Sequence, residues 1–592
     1  MSLMSALYTG VSGLNVNQRG LTTEAHNLSN VETTGYVRQQ TITTDAFYTQ
    51  AGSNATGILY AGMGTSVASI KQVRDTFLDK TYREEVGREN YYRLQYESTN
   101  EIEDIFGETE GVQFQDSLEE MSIALQEMCK EPNSIVTRSS LIQTAVSFIG
   151  RAEEIYDQIC DYQTSLNTQV QTYVDRINEI ASEISDLNHK IQKYEASGAE
   201  NANDLRDQRN TLLDEMSELI KIDYKEAANG VVTVYAEDYA IVTEDLVYKI
   251  ATKNVSEDSK MIKPYWVDYG GVDVFDLSSV PSTDADSDIG ALKGLLIARG
   301  SKEGRYTDIP NRPETDEYTD ETGWFDETAY EEALKDYETK VADYELNVES
   351  SVCVSVEAQF DNLIHGIVTT INDILCPNTE VELTDGTKIK ILDTENAPVG
   401  MDENNTYGEA LFNRKSTDRY TLSTITIVND DGNTETMEAY VYNEEDETNN
   451  YSLFTIGEIE VNDNVLKNPS LLPLSDNAGT GDFDIDRCDA LLSAWDAEFD
   501  TISPSDYSKQ NFNSYYTEMI GLLGTNGQKY KNVYDSQENL VNSVDNSRQA
   551  VLAVDSDESL TNVIKYQQGY NASSRFINAV NEMLEHLLST LG

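Results

Sequence analysis

Basic residues are scarce in this chain. Of 592 residues, 42 are Lys or Arg and 105 are Asp or Glu, a formal charge of −63. A phosphate-rich partner needs a basic surface to neutralise it, so the deficit argues against nucleic acid. An anionic membrane surface is disfavoured for the same reason. Long apolar runs are also missing. Leu295-Leu296-Ile297-Ala298 is typical of the most apolar stretches, far short of the roughly 18 residues of a spanning helix, so no membrane insertion is expected. The start lacks the basic and then apolar layout of a cleaved export signal, since the first basic residue is Arg19. Cysteine is sparse too. Cys129, Cys160, Cys353, Cys376 and Cys488 are scattered with no C-x-x-C, which indicates neither a zinc site nor a disulfide framework.

Motifs for chemistry fail one by one. The four histidines, His26, His189, His365 and His586, lie far apart, and none belongs to an H-E-x-x-H pair. Gly10-Val11-Ser12-Gly13 lacks the last glycine of a nucleophile elbow. Gly62-Met63-Gly64 lacks the third glycine of a dinucleotide loop, and no P-loop occurs. Asp482-Phe483-Asp484-Ile485-Asp486 imitates the start of a calcium loop. Arg487 stands where the sharp turn needs glycine, so a helix N-terminus is the better account. Among 105 acids any carboxylate pair is possible and none is special. No catalytic, cofactor-binding or metal-ligating residue is therefore assigned, and no enzyme is expected.

What is present is periodicity. Hydrophobic residues make up 39% and aromatics 9%, with 35 Tyr against 14 Phe and 3 Trp, too much for a wholly disordered acidic chain. The length suggests about three to five domains. Residues 1–30 hold one acid, Glu24, and one base, Arg19. There Leu7, Val11, Leu14, Gln18, Leu21, Ala25 and Leu28 follow alternating steps of four and three, an a/d seam for another helix. Ile577, Val580, Leu584, Leu587 and Leu591 repeat the step at the other end, with Met583 and Leu588 widening the stripe. Ending on the seam mildly favours assembly with other chains over an ordinary core.

A third seam runs through Leu166, Val170, Tyr173, Ile177, Ile180, Ile184, Leu187, Ile191 and Tyr194. After a polar break at 196–201 it resumes at Leu205, Arg209, Leu212, Met216 and Leu219, which predicts an antiparallel helical hairpin. Residues 113–158 also read as helix, broken near Pro132. Val231–Tyr235 and Tyr239–Val242 predict a β-hairpin. Helical patterns return at 290–299 and 352–375. Between them 301–350 holds 16 acids against 5 bases and reads as a solvated insertion. From 379 to 474 the pattern alternates as strands, with a turn at 429–433. After Cys488 the chain reads as helical to its end.

The two ends then become specific. Ser5–Leu14 (SALYTGVSGL) and His26–Tyr36 (HNLSNVETTGY) resemble the N-terminal motif of the flagellar rod, hook and hook-associated protein family, with Thr34 where proline is usual. Ile564–Arg575 (IKYQQGYNASSR) and Asn581–Leu588 resemble its C-terminal motif. The motif residues carried over are His26, Asn27, Asn30, Gly35, Tyr36, Tyr566, Gln567 and Tyr570. Val174–Ile191, Asn203–Asn210 (NDLRDQRN), Gly290–Leu296 and the pair Pro132 and Arg138 are similar to the hook-associated protein 1 branch. Ala553–Ser559 departs from the family pattern at the lead-in to the last helix.

The resemblance implies an α+β multidomain fold with nested layers. Residues 1–50 with 556–592 are expected as a coiled-coil inner domain, and 51–376 with 490–555 as a helical rod-like domain carrying the hairpin near 231–242 and the acidic insertion. Residues 377–489 are expected as an inserted β-rich outer domain. Leu7, Val11, Leu14, Leu21 and Leu28 are expected to pack against Ile577, Val580, Leu584, Leu587 and Leu591 on assembly. The implied role is a structural adaptor at the hook–filament junction, exported through the flagellar type III channel with no cleaved signal. Implied partners are further copies of the chain in a tubular lattice, hook protein, hook-associated protein 3 and an export chaperone at the C-terminal helix. Two alternatives stay open: another axial protein, either hook protein or hook-associated protein 3, and an extracellular enzyme or glycan binder acting through the β insertion.

Overall fold

A computed structural model describes residues 3–591, apart from 55–56, 108–113, 199, 257–258, 320–323, 429–433 and 477–482. Helix α1 (Leu3–Ser29) is followed by β1 (Gln39–Asp45), β2 (Tyr48–Asn54), β3 (Gly57–Gly62) and β4 (Thr65–Gln72). β1 pairs antiparallel with β4, and β2 with β3. This strand pair of hairpins was not legible in the periodicity, and the expected boundary at residue 50 falls inside β2. The β1–β4 ladder joins 39–45 to 65–72 across it.

The helical body is built on α2 (Thr76–Phe106), α3 (Phe114–Lys130), α4 (Ile135–Glu195) and α5 (Asn203–Leu219). Asp75 caps α2 by accepting from the Phe77 and Leu78 amides, and Gly107 ends it in the left-handed region. α3 and α4 flank Pro132, as expected. α4 has 61 residues, a rod of about 90 Å at 1.5 Å per residue. Its seam positions Leu166, Val170, Ile177, Ile180, Ile184 and Ile191 are buried, whereas Tyr194, beside the break, is exposed. β5 (Ile222–Glu226), β6 (Val232–Ala236) and β7 (Tyr239–Val242) form an antiparallel sheet. Glu237 and Asp238 make the β6–β7 turn with positive φ at both, the twist that suits a two-residue hairpin. β8 (Ile250–Asn254) pairs with β9 (Ile262–Trp266).

Helix α6 (Ala291–Arg299), α7 (Glu327–Tyr344) and α8 (Val352–Leu375) follow. The acidic stretch 301–350 is not a purely solvated insertion. Tyr344 and Val348 bury with Ile309, Val354 and Ala358 in a small core of their own, which seats α7 on α8. The inserted region carries β10 (Asn378–Glu382), β11 (Lys388–Leu392), β12 (Phe412–Arg414), β13 (Tyr420–Val428), β14 (Thr434–Tyr442) and β15 (Ile459–Val461). They form a sheet in the order β10-β11-β14-β13 and a separate β12–β15 pair. The expected turn at 429–433 lies outside the described residues. Short α9 (Asp463–Lys467) precedes α10 (Ile485–Asp496). Asp484 caps α10 by accepting from the Arg487 amide at 3.0 Å, the helix start read from the sequence.

The boundary expected at 489 falls within α10. Cys488, Leu491 and Trp495 are buried, and α10 packs against α3 and α8, with the Trp495 ring 5.4 Å from Phe512. Helicity is not continuous after Cys488 either: 497–511 is irregular before α11 (Phe512–Leu552) and α12 (Ser556–Leu591). α11 returns antiparallel along α2, placing Gly527 against Thr99 and Arg548 against Asp79. The main core runs from α2 and α3 through α4, α8 and α11. At its centre the Phe114 ring lies 4.9 Å from Phe360 and 5.3 Å from Tyr516.

Candidate assembly interface

α1 and α12 pair antiparallel at close range. A Cβ at Gly10 would lie 2.8 Å from Ile577, one at Gly13 2.9 Å from the Ser573 hydroxyl, and one at Gly20 2.5 Å from the Tyr566 ring. Gly569 meets Asn17 in the same way. The contact face of α1 is therefore Gly10, Gly13, Asn17 and Gly20, continued by the buried Glu24 and Asn27. Each of these stands one residue before a member of the predicted seam, a rotation of about 100° around the helix.

That rotation sets where the seam residues stand within a single chain. Leu7, Leu14, Leu21 and Leu28 are only half-buried, and Val11 is 39% exposed. On α12 the predicted stripe lies on the contact face, since Tyr566, Gly569, Ser573 and Ile577 lead directly into it. Ile577 reaches α1 and Val580 is buried, but Leu584 is half-buried and Leu587 is 43% exposed, with Met583 and Leu588 beside it. The Leu591 side chain lies outside those described. The antiparallel register also puts Leu21 and Leu28 at the far end of α1 from Leu584 and Leu587, so these sets do not meet within one chain.

The N-terminal motif is a folded corner. The Asn27 amide donates to the Gln39 carbonyl at 2.9 Å, and its oxygen accepts from the Gln39 amide at 2.9 Å and the Tyr36 hydroxyl at 2.8 Å. Asn27 thus makes one strand-like pair of bonds from a helix to β1. Asn30 donates to the His26 carbonyl and accepts from Thr33, closing the helix end. Gly35 has φ +77°, and a Cβ there would lie 2.7 Å from the Thr211 hydroxyl, so both conformation and space demand glycine. Thr34 is exposed on this turn. His26 stacks edge-on against Tyr36 and lies 3.5 Å from Asp204. Of the C-terminal motif, Tyr566 packs on Gly20, while Gln567 and Tyr570 are exposed. The departure at 553–559 still caps α12, because Asp555 accepts from the Asp557 and Glu558 amides.

α5 holds this corner to the helical body, and its segment 203–210 explains itself by helical spacing. One face carries Asp204, Asp207 and Asn210. Asp204 accepts from Gln39, and Asp207 from the Val37 amide at 3.3 Å and Gln72 at 2.6 Å. The other face carries Arg206 and Arg209. Arg206 grips Glu195 through two bonds of 2.8 Å across the hairpin break. Arg209 is buried and donates to Asn188 and the Gly230 carbonyl.

Beneath α5 three arginines share two carboxylates. Asp79 takes Arg74 and Arg548, while Asp214 takes Arg83 and Arg548. Burial opposes ionisation of Asp79, but hydrogen bonds from Arg74 and the charges of Arg548 and Arg83 outweigh it and hold the carboxyl low. Burial dominates at Asp207, whose carboxyl is pushed up to about 7 despite the Val37 amide and Arg74. Periodicity could not find this node, because its residues come from three distant stretches, 74–83, 207–214 and Arg548.

Comparisons with known proteins agree with the motifs. Residues 99–331 match the family described as flagellar hook-associated protein FlgK helical domain, and 549–590 match flagellar basal body rod FlgEFG protein C-terminal. The chain is 24% identical over 608 residues to flagellar hook-associated protein 1 of Bacillus subtilis, covering 100% of this chain and 99% of that one. It is 21% identical over 603 residues to the protein of the same name from Salmonella typhimurium, covering 99% and 100%. Its fold is similar to that of the flagellar hook junction protein FlgK from Burkholderia pseudomallei, with a TM-score of 0.50 at 12% identity, covering 80% of this chain and 100% of that one.

Proposed function

Because the chain belongs to the flagellar hook-associated protein 1 family, we propose that it is a structural adaptor of the flagellum, polymerising at the distal end of the hook to join hook to filament. The observation that carries this reading is the two-faced terminal helix. The small-residue face of α1 is used within the chain, its leucine stripe stays half-buried on the flank, and the end of α12 leaves Leu587 and Leu588 exposed. Copies bearing −63 each repel one another, so contact requires neutral surface. Residues 1–30 and 559–592 supply it, holding one acid and one base, and two of each, respectively. The leftover stripes are the surfaces that further copies cover in a tubular lattice.

Hook protein on the proximal side and hook-associated protein 3 on the distal side are the axial neighbours of such an adaptor. An export chaperone on the α12 stripe would keep it covered before the chain leaves by the flagellar type III route. The role is mechanical and contains no catalytic step.

Leu584→Asp with Leu587→Asp tests the reading. Both side chains are partly solvated, so the helical body should keep its circular dichroism and melting profile. Each leucine buried on assembly contributes about 1.5–3 kcal/mol, and an aspartate there adds a desolvation cost. In a strain lacking the gene, the wild-type copy should restore filaments. The double variant should leave hooks bare and flagellin in the medium. Normal filaments from the double variant would refute the assembly role.

A further inference from the structure

Cys129 and Cys488 are 359 residues apart in sequence, yet the Cys129 thiol lies 3.5 Å from the Cys488 carbonyl oxygen. Cys129 sits in the last turn of α3 and Cys488 in the first turn of α10. Both line one cavity of about 360 Å³ together with Leu125, Phe483, Leu492 and Trp495. Two buried donors without a partner stand around the pair: the indole nitrogen of Trp495 and one terminal nitrogen of Arg138. Arg138 is fixed by donating to the Pro132 carbonyl at 2.7 Å and the Leu472 carbonyl at 2.6 Å, so its charge is held in place. From the geometry we infer that Cys129 and Cys488 are a redox pair that closes into an intramolecular disulfide on meeting a low-molecular-weight disulfide, tying α10 to α3.

The two sulfurs are not equivalent. A hydrogen bond from Cys129 and the nearby Arg138 charge draw the Cys488 thiol down against the effect of burial, while hydrogen bonding and burial push the Cys129 thiol up. A helix N-terminus favours a thiolate further. Cys488 is therefore the attacking sulfur. Its thiolate displaces one sulfur of the oxidant R–S–S–R, giving Cys488–S–S–R and a thiolate that takes up the proton Cys488 released. Cys129 then loses its proton and attacks the Cys488 sulfur, expelling the second R–S⁻, which is protonated in turn. Two protein thiols are oxidised, and one small disulfide is reduced to two thiols. The other cysteines lack this setting: Cys353 and Cys376 have no exposed surface and do not line this cavity, whereas the 4% exposed Cys488 does, and burial with the Glu357 charge raises the Cys160 thiol.

The bond would fasten the return from the β-rich insertion to the helical body. Closing this particular bond also requires the fold, because only the fold brings the two residues together. The pair would form whether or not the chain serves at the junction.

The full-length native protein is incubated with oxidised glutathione, denatured under acid, and its free thiols are counted. The count should fall from five to three, by the two cysteines joined, and non-reducing peptide mapping should show 129 linked to 488. Cys129→Ser should trap glutathione on Cys488, and Cys488→Ser should leave Cys129 unmodified. Dithiothreitol should restore all five. A count that stays at five would overturn the pair. So would glutathione remaining on Cys488 in the wild type, or a link made by Cys160 or Cys353.

Discussion

Charge counting at the base of the terminal module sets an order of mutational costs. Arg74, Arg83 and Arg548 share Asp79 and Asp214, and at about pH 6 the neighbouring Asp207 is mostly protonated, so three positive charges meet two negative. Arg548→Met leaves Arg74 on Asp79 at 2.9 Å and Arg83 on Asp214 at 2.7 Å, two intact pairs with nothing stranded. The variant loses two charge-assisted hydrogen bonds and a guanidinium 4.5 Å above the Tyr82 ring, while methionine refills most of the volume. Removing the buried guanidinium's desolvation cost offsets much of that loss and leaves about 1–3 kcal/mol. Asp79→Asn keeps the shape but gathers three guanidinium groups around one carboxylate, which costs about 3–5 kcal/mol. Asp545 offers little relief, being partly exposed and 4.0 Å from Arg548. A chain of several domains has no single unfolding midpoint, so the readout is amide exchange over 541–552 and 78–86. Asp79→Asn should lose at least about tenfold more protection than Arg548→Met, equivalent to roughly 1.4 kcal/mol. Equal losses, or a milder Asp79→Asn, would refute the counting.

Two other perturbations probe the same corner. Folded Asp207 titrates at about 7 and unfolded aspartate near ~3.9, so between these values the folded chain holds more protons. Its contribution to stability therefore falls as pH rises across that window, by at most on the order of 4 kcal/mol. Asp79, held low, runs the other way and loses its contribution only in acid. Protection of amides 31–38 should decline between about pH 5 and 7, and Asp207→Asn should flatten that slope; an unchanged slope would sink the assignment. Gly20→Ala gains about 1 kcal/mol of helix propensity, but its methyl would sit 2.5–2.7 Å from three Tyr566 ring atoms. Overpacking of about 1–3 kcal/mol should win and weaken polymers in sedimentation. Tyr566→Leu in the same chain should recover part of the loss, whereas simple additivity would exclude the contact.

Some of this architecture was readable because its cause is local. The α4–α5 hairpin follows from a seam, a polar break and Pro132, and the β6–β7 turn from two β-branched runs flanking Glu237 and Asp238. The β1–β4 and β2–β3 pairs escaped because Gln39–Gln72 is rich in Gly, Thr, Ser and Ala, with Tyr48, Ile58, Leu59 and Tyr60 exposed and not alternating into a core. The small core under α7 escaped because Tyr344 and Val348 are few among sixteen acids. At the corner, the motif named His26, Asn27, Asn30, Gly35 and Tyr36 before any structural reason was visible. The partners supplying the reason, Gln39, Asp204, Asp207 and Thr211, are far off in the chain or carry no periodic signal.

The rotation of α1 concerns what hydropathy can report. An apolar stripe marks surface that must be buried, but it does not say against which helix. Glycine and serine carry almost no hydropathy, yet they decide how near two backbones come, since interaxial distance follows the side chains between them. α12 therefore approaches α1 across Gly10, Gly13 and Gly20, and the leucines one position on are turned toward the flank. A chain meant to finish its fold alone would gain by placing those leucines in the contact, at roughly 1.5–3 kcal/mol each. Under the proposed assembly role, leaving them at the flank would keep the pair weak in isolation and reward it when a neighbour arrives, linking ordering of the helices to polymerisation. Under the assembly role proposed above, the seam read from the sequence would serve other copies, while the glycines beside it meet the chain's own last helix.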